Sequence, residues 1–421
     1  MTLHRLALLP ALMAVAFASQ AAPDAKLLAA GQAAQPAVID TLKEMVTIES
    51  GSANAEGLAK MADYTEKRLQ ALGAKTERIK ATRGPGTLVK GSFAGSGRAR
   101  ILLIAHMDTV YPANTLATQP IKLDGNKLYG PGIADDKGGI AVILHSLKIL
   151  GDAGWRDYAR LTVLFNPDEE VGSVGSGELI AALADEHDVV LSFEPTASKA
   201  VAKSEALLLG ASGTATATME VKGRAAHAGA APELGRNALI ELSHQLLQTR
   251  DVAKGIPGTQ LNWTVAKAGE VRNQIPERAQ ATGDVRVTVS GGAEKLQAAL
   301  QDKVNANRLV PDTQTTVTMD IGRPPFVAGD PARALARHAQ GIYAELDGRA
   351  LALVPGTGGA TDAGYAGRSG KAVVLESFGL AGFGYHARDE YIEIDSIVPR
   401  LYLATRLLMD IGAGKAGGLS H

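Results

Sequence analysis

The sequence predicts an α/β protein: a mainly parallel sheet with helices on both faces, interrupted by an inserted ferredoxin-like α+β domain. Three observations predict this. Apolar runs of strand length, Ile101-Leu102-Leu103-Ile104-Ala105, Leu161-Thr162-Val163-Leu164-Phe165 and Val189-Val190-Leu191-Ser192-Phe193, alternate with helical stretches. From Ser212 to Arg323 the pattern changes to β-α-β-β-α-β. Five residues of metal-ligand type, His106, Asp135, Glu170, Glu194 and His386, flank that stretch, so the chain must return to its first unit. At 421 residues it exceeds one ordinary core. The expected division is a leader at 1–21, a main domain at 22–211 and 325–421, and an insert at 212–324.

Met1 to Ala21 opens with His4 and Arg5, continues apolar from Leu6 to Phe17 and closes on Ala18-Ser19-Gln20-Ala21. This predicts a secretory signal cut after Ala21, too short in its apolar part to span a membrane, and a periplasmic or secreted product. Gln35 to Leu72 reads as helix. Short strands then lead to His106 at the end of its apolar run; strand ends are where open α/β sheets place their sites. Asp108, two residues on and on the same face of an extended chain, is placed to hold the other imidazole N–H.

The turn Tyr129-Gly130-Pro131-Gly132-Ile133-Ala134-Asp135-Asp136-Lys137-Gly138-Gly139 delivers two adjacent carboxylates before an apolar helix from Ile140 to Leu150. Taken alone, these would be helix N-terminal charges facing the macrodipole. In company with the other ligands, Asp135 is the candidate for a carboxylate shared between two ions. Phe165-Asn166-Pro167-Asp168-Glu169-Glu170 brings two glutamates to a strand end: one can bind metal while its unligated neighbour accepts a proton. Glu170 is assigned to metal and Glu169 to catalysis, although a lone Asp-Glu-Glu would be an ordinary solvated turn. Glu194-Pro195 repeats the carboxylate-after-strand pattern. Two imidazoles and three carboxylates suit two zinc ions sharing one carboxylate, and such a set predicts hydrolysis.

The insert is expected to hold a strand from Thr214 to Val221, a helix from Asn237 to about Thr249, strands near Trp263 and Val285, a helix near Leu296 and a strand near Val317. The formal net charge of −1, from 43 basic and 44 acidic residues, offers no global field for nucleic acid or an anionic membrane. With no cysteine there is neither a disulfide framework nor thiolate ligation.

The order His-x-Asp, Gly-x-Gly-x-x-Asp-Asp-Lys-Gly-Gly, Asp-Glu-Glu, Glu-Pro and a late His resembles the co-catalytic zinc peptidases and deacylases. That family includes aminoacylase, acetylornithine deacetylase and succinyl-diaminopimelate desuccinylase. Within it, Ser192 to Thr196, His227 to Gly235 and Gly382 to His386 are most similar to the bacterial glutamate carboxypeptidases, and the resemblance runs from about Gln35 to Gly414. It implies a di-zinc aminopeptidase-like catalytic domain with the insert as lid and dimerisation domain. It also implies two zinc ions per subunit: His106 and Glu194 complete one site, Glu170 and His386 the other, and Asp135 bridges them; a cis peptide bond between Asp135 and Asp136 is implied as well. Glu169 would be the general base. His227 would stabilise the oxyanion, reaching a partner subunit's site in a homodimer; otherwise it is a loop histidine without duty. Asn273 and Arg323 match substrate-binding positions. Arg323 suits a two-pronged grip on a free α-carboxylate, against the ordinary alternative of a surface arginine. Thr361 and Asp362, in the glycine-rich loop from Gly356, would lie near the substrate.

The implied activity is a zinc carboxypeptidase hydrolysing the amide to a C-terminal amino acid, by resemblance the glutamate of folates or of N-acyl-glutamate. The partner would be a small N-acyl or folate-like molecule, with neither nucleic acid nor membrane. One departure concerns specificity: where glutamate-specific relatives carry a lysine and a hydroxyl, this chain has Ala206-Leu207-Leu208-Leu209, with Lys203 and Ser204 upstream. An N-acyl-amino-acid deacylase or dipeptidase with an apolar pocket uses the same ligands. A non-catalytic metal-binding protein would be expected to have lost the base or a ligand, and none is missing.

Overall fold

The computed structural model describes residues 22–419, so the predicted leader at 1–21 lies outside the described residues. Two helices come first, α1 (Ala25–Val46) and α2 (Ala55–Ala71). The single helix expected over 35–72 is therefore corrected: residues 47–54 break it. Ser50 and Ser52 turn their hydroxyls to Met107 O (2.6 Å) and the Asp108 carboxylate (2.7 Å), and Asn54 restarts the helix by accepting from Gly57 N. A Cβ at Gly51 would lie 2.2 Å from Tyr111 O, so this break packs against the loop that follows His106.

The main sheet is built from β1 (Lys75–Lys80), β2 (Thr87–Ala94), β3 (Arg100–His106), β4 (Arg160–Asn166), β5 (Val189–Ser192) and a late strand, Val373–Leu375. Its order is β1-β2-β4-β3-β5 and then that late strand; the last four members are parallel, and β1 and β2 form an antiparallel edge. Helix α3 (Lys137–Asp152) is almost wholly buried, and α4 (Gly177–Asp185) leads into β5. Because β3, β4 and β5 run in register, His106, Asn166 and Ser192 end at one sheet edge, and the loops beyond them converge there.

The insert has its own core. Strands β7 (Gly213–Lys222), β8 (Thr259–Ala268), β9 (Arg278–Val287) and β10 (Gln314–Ile321) form a fully antiparallel sheet in the order β8-β9-β7-β10, following β6 (Glu205–Leu208) in the chain. Helices α5 (Ala238–Thr249) and α6 (Gly292–Ala306) bury Leu242, Leu296 and Leu300 against Met219 and Val221. This is the ferredoxin-like arrangement. Asn237 caps α5 by accepting from Leu239 N and Ile240 N. The entering and leaving connections run side by side: Thr214 N donates to Arg323 O, and Gly322 N to Thr214 O. The chain then adds α7 (Asp330–Ala344), β11 (Leu351–Val354), the late sheet strand and α8 (Ile397–Gly412), which packs on α1 and α3. No helix among the described residues is long and apolar enough to cross a membrane.

Candidate metal centre and active site

The five candidate ligands, separated by up to 280 positions in sequence, converge in two groups that share one member. His106, Asp135 and Glu194 form one; Asp135, Glu170 and His386 form the other, and within each group the ligand atoms lie within 4.8 Å of one another. Asp135 turns Oδ1 to His106 Nε2 (2.9 Å) and Oδ2 towards His386 Nε2 (3.4 Å). His386 Nε2 also meets Glu170 Oε2 at 3.0 Å, and His106 Nε2 lies 3.7 Å from Glu194 Oε1. One carboxylate thus presents a separate oxygen to each group.

Local structure explains the convergence. The Asp135–Asp136 peptide bond is cis. Asp136 caps α3 by accepting from Gly139 N and also accepts from His106 N, so of this acidic pair only Asp136 serves the helix N-terminus and Asp135 is left to face the other ligands. Glu390 fixes the turn before them by accepting from the N–H groups of Gly132, Ala134 and Asp135. Burial pushes its carboxyl up to about 7. Nothing in the sequence signalled Glu390, because its partners lie more than 250 positions away.

Asp108 is fully buried but acts differently from expectation. His106 Nδ1 lies 3.0 Å from the Asp108 backbone carbonyl and 3.4 Å from the carboxylate, so the carbonyl holds the tautomer. The carboxylate instead accepts from Glu169 N (2.9 Å), Glu170 N (3.1 Å) and the Ser52 hydroxyl (2.7 Å). It therefore aims the two glutamates that follow β4.

Glu169 is buried against Arg323, whose Nη1 lies 2.7 Å from Oε1. Burial pushes the Glu169 carboxyl well above the ordinary range, against the pull of that guanidinium. Arg323 also donates to the carbonyls of Ala360 and Glu169 and to Ser173 Oγ (3.2 Å), while its buried Nε has no hydrogen-bond partner among the described residues. The fork expected to grip a substrate carboxylate thus already engages protein acceptors, while Arg323 also lines the cavity over the ligands.

The charges around the ligands fit a cation. Burial opposes protonation of His106, yet Glu194, Asp108 and Asp135 hold its pKa well above the usual value. Hydrogen bonds with Asp135 and Glu170 raise His386 to about 10. Burial raises Glu170 and Glu194, whereas the two imidazoles outweigh burial at Asp135 and lower it. Three carboxylates facing two imidazoles are a charge arrangement that divalent ions would neutralise, and the oxygen and nitrogen donors suit zinc.

A cavity of about 860 Å³ opens over the ligands, walled by Asp135, Glu169, Glu170, Glu194 and His386, by the loop Thr357 to Thr361, and by Asp284 and Arg286 of the insert. Thr361 lines it and donates to Glu376. Asp362 does not line it: its carboxylate accepts from Asn166 (2.7 Å) and Ser173 and serves as a buried anchor. His227 and Asn273 are likewise absent from its walls. They sit at a two-stranded ribbon of the insert, Ala226–His227 against Gln274–Ile275: His227 pairs with Gln274 and is exposed, its Nδ1 accepting from Gly229 N and Ala230 N, and Asn273 just before the second strand accepts from Ala228 N through its carbonyl. Nε2 is then the ring's remaining donor. His145 and His187 are buried beside Thr41 and Thr162, away from the ligands.

Comparison with known proteins agrees with this architecture. A model of "Peptidase family M20/M25/M40" matches residues 102–410. The chain is 45% identical over 420 residues to carboxypeptidase G2 of Pseudomonas sp. (strain RS-16), covering 98% of this chain and 99% of that protein. It is 31% identical over 261 residues to acetylornithine deacetylase of Myxococcus xanthus, covering 57% and 64%. Among solved structures, aminopeptidase PepT from Bacillus cereus superposes with a TM-score of 0.72 at 20% identity, covering 90% of this chain and 98% of that one. The metallo-carboxypeptidase Sso-CP2 from Sulfolobus solfataricus gives 0.71 at 17% identity, covering 89% and 99%. At such identities the structures show the fold alone.

Proposed function

As a member of peptidase family M20/M25/M40 the chain is a metallo-carboxypeptidase, and we propose that it uses two zinc ions to hydrolyse the amide joining an acyl group to a C-terminal amino acid. The observation that carries the two-ion reading is Asp135, whose separate oxygens face two ligand groups beside Glu169. His106 and Glu194 would hold one ion and Glu170 and His386 the other. Bound there, the ions supply Lewis acidity towards water and the scissile carbonyl.

Glu169 takes a proton from the attacking water and delivers it to the departing nitrogen. Burial raises the proton affinity of its carboxyl, as a proton acceptor requires, and Asp108 fixes its backbone. Arg323 positions Glu169, and the free α-carboxylate of the substrate is the anion expected to draw the fork from it; that competition would restrict the enzyme to chain ends. Thr361 forms part of the substrate wall.

His227 and Asn273 act, in this proposal, on the site of a second copy, with the His227 Nε2–H donating to the developing oxyanion. Their absence from the walls of this chain's own cavity supports that, as do the exposed apolar residues Leu239, Ile240 and Leu247 on α5 and Val265 on the edge strand β8, which a homodimer interface would cover. The insert, contributing Asp284 and Arg286 to the cavity, would serve as lid as well as dimerisation domain. Export with cleavage after Ala21 remains the reading of the first 21 residues.

The test is chelation and zinc reconstitution, scored as amino acid released from an N-acyl amino acid and as amino-acid amide released from its carboxamide. Metal-dependent cleavage of the free acid alone supports the proposal. Equal cleavage of the carboxamide would contradict the end-directed role of Arg323.

A further inference from the structure

A second cavity, of about 470 Å³, adjoins the first and shares the walls Pro195, Leu208, Thr357, Ser377 and Tyr385 with it. Part of its lining comes from two paired parallel strands, β6 and β11, in the register Ala206 to Ala352 and Leu208 to Val354. Alternation along a strand puts these four side chains on one face, and all four line the cavity. The same alternation turns Glu205 to the other face, where Arg400 Nε (2.6 Å) and the Tyr343 hydroxyl (2.7 Å) engage it. The only charge on β6 is therefore directed away from the cavity.

Taking the carboxypeptidase reading as premise, we propose that this second cavity receives the side chain of the departing residue and selects apolar side chains over acidic ones, with Leu208 at the junction setting the preference. Leu208 is partly exposed and borders both cavities, so a ligand spanning them must pass it. Ser377 stands at the same junction; its buried Oγ has no hydrogen-bond partner among the described residues, leaving a polar group for a bound ligand's backbone. A carboxylate entering past Leu208 meets Ala206, Ala352 and Val354; Ser204, Thr357, Ser377 and Tyr385 also line the cavity, but hydroxyls do not replace a buried cation for the hydration it loses. The one cationic side chain on the lining is Lys203, which is exposed, and an exposed cation compensates that loss poorly. An aliphatic or aromatic side chain gains from the same walls.

The experiment compares N-acyl leucine, phenylalanine, alanine and glutamate bearing one common acyl group, with the zinc-reconstituted protein. The expected kcat/KM for leucine and phenylalanine exceeds that for glutamate by at least about tenfold. Leu208→Lys should narrow or reverse that ratio, and Lys203→Ala should leave it unchanged. Calorimetric Kd values for the same ligands on the Glu169→Gln variant should follow the same order. Preference of the unaltered protein for glutamate, or a selective loss of glutamate turnover in Lys203→Ala, would overturn the proposal. Failure to cleave any of the four would count against the carboxypeptidase reading, and the calorimetric order would still decide the pocket's preference.

Discussion

Asp108→Asn tests how the site is organised. The carboxylate has no solvent exposure and accepts three hydrogen bonds, Oδ1 from Glu169 N and Oδ2 from Glu170 N and Ser52 Oγ. Asparagine has one acceptor oxygen. In the less costly orientation that oxygen replaces Oδ2, and the new NH2 group faces the Glu169 N–H, so one hydrogen bond to a charged acceptor is lost and a buried donor is left without a partner. Such a bond contributes ~1.5–3 kcal/mol and a buried unsatisfied group costs ~1–3 kcal/mol, overlapping terms that together predict a loss of about 2–4 kcal/mol. Because Glu169 and Glu170 hang from those N–H groups, metal affinity should also fall by roughly 10- to 100-fold, the usual scale for a residue that orients a ligand. Urea unfolding with chelator present reads the first effect, and competition with a zinc chelator reads the second. A variant with parental stability and parental zinc affinity would refute the claim that this carboxylate aims both glutamates.

Zinc affinity should rise with pH, because the imidazoles hold protons in the metal-free protein. His386 is raised from 6.5 to about 10 and His106 is also raised, so each ion that takes an imidazole must displace a proton below those values. Affinity per ion should then climb about tenfold per pH unit for one proton displaced, read by calorimetry in buffers of different ionisation enthalpy; a flat profile would contradict it. The same raised pKa stabilises the metal-free fold fully below the unfolded value near 6.5, and that contribution is lost as pH climbs through about 10; thermal denaturation with chelator should record the decline. Arg323→Lys keeps the charge but removes the fork that spans Glu169, Ala360 and Ser173; kcat should fall by at least about tenfold with zinc content unchanged. Parental kcat in that variant would show that Glu169 does not depend on the fork.

Much of the site was legible because its ligands end apolar runs. Burial on both faces makes β3, β4 and β5 continuous hydrophobic segments, and parallel register then brings His106 and the loops carrying Glu170 and Glu194 to one edge. The start of α5 at Asn237 was local and equally readable, and the structure adds that Asn237 and Asp136 cap their helices. What the sequence hid was side-chain direction set by distant partners. Arg323 lies at the insert's exit and lines the cavity, but that its fork also engages a residue 154 positions earlier could not be read from the sequence. Asp362 adjoins a cavity-lining loop but turns inward to Asn166 and Ser173. The break between α1 and α2 was readable in Ser50-Gly51-Ser52 and the capping Asn54, against the single helix expected there; only the hydroxyl partners of Ser50 and Ser52, 56–57 positions away, were hidden.

The central claim is that five residues hold the metal while Glu169 alone moves the proton. The most direct measurement pairs metal content with turnover in Glu169→Gln, which keeps the side chain's shape and removes its basicity. The account predicts two zinc ions per chain, as in the parent, with kcat reduced by roughly 10²–10⁴. A zinc-loaded variant that turns over at the parental rate would contradict it.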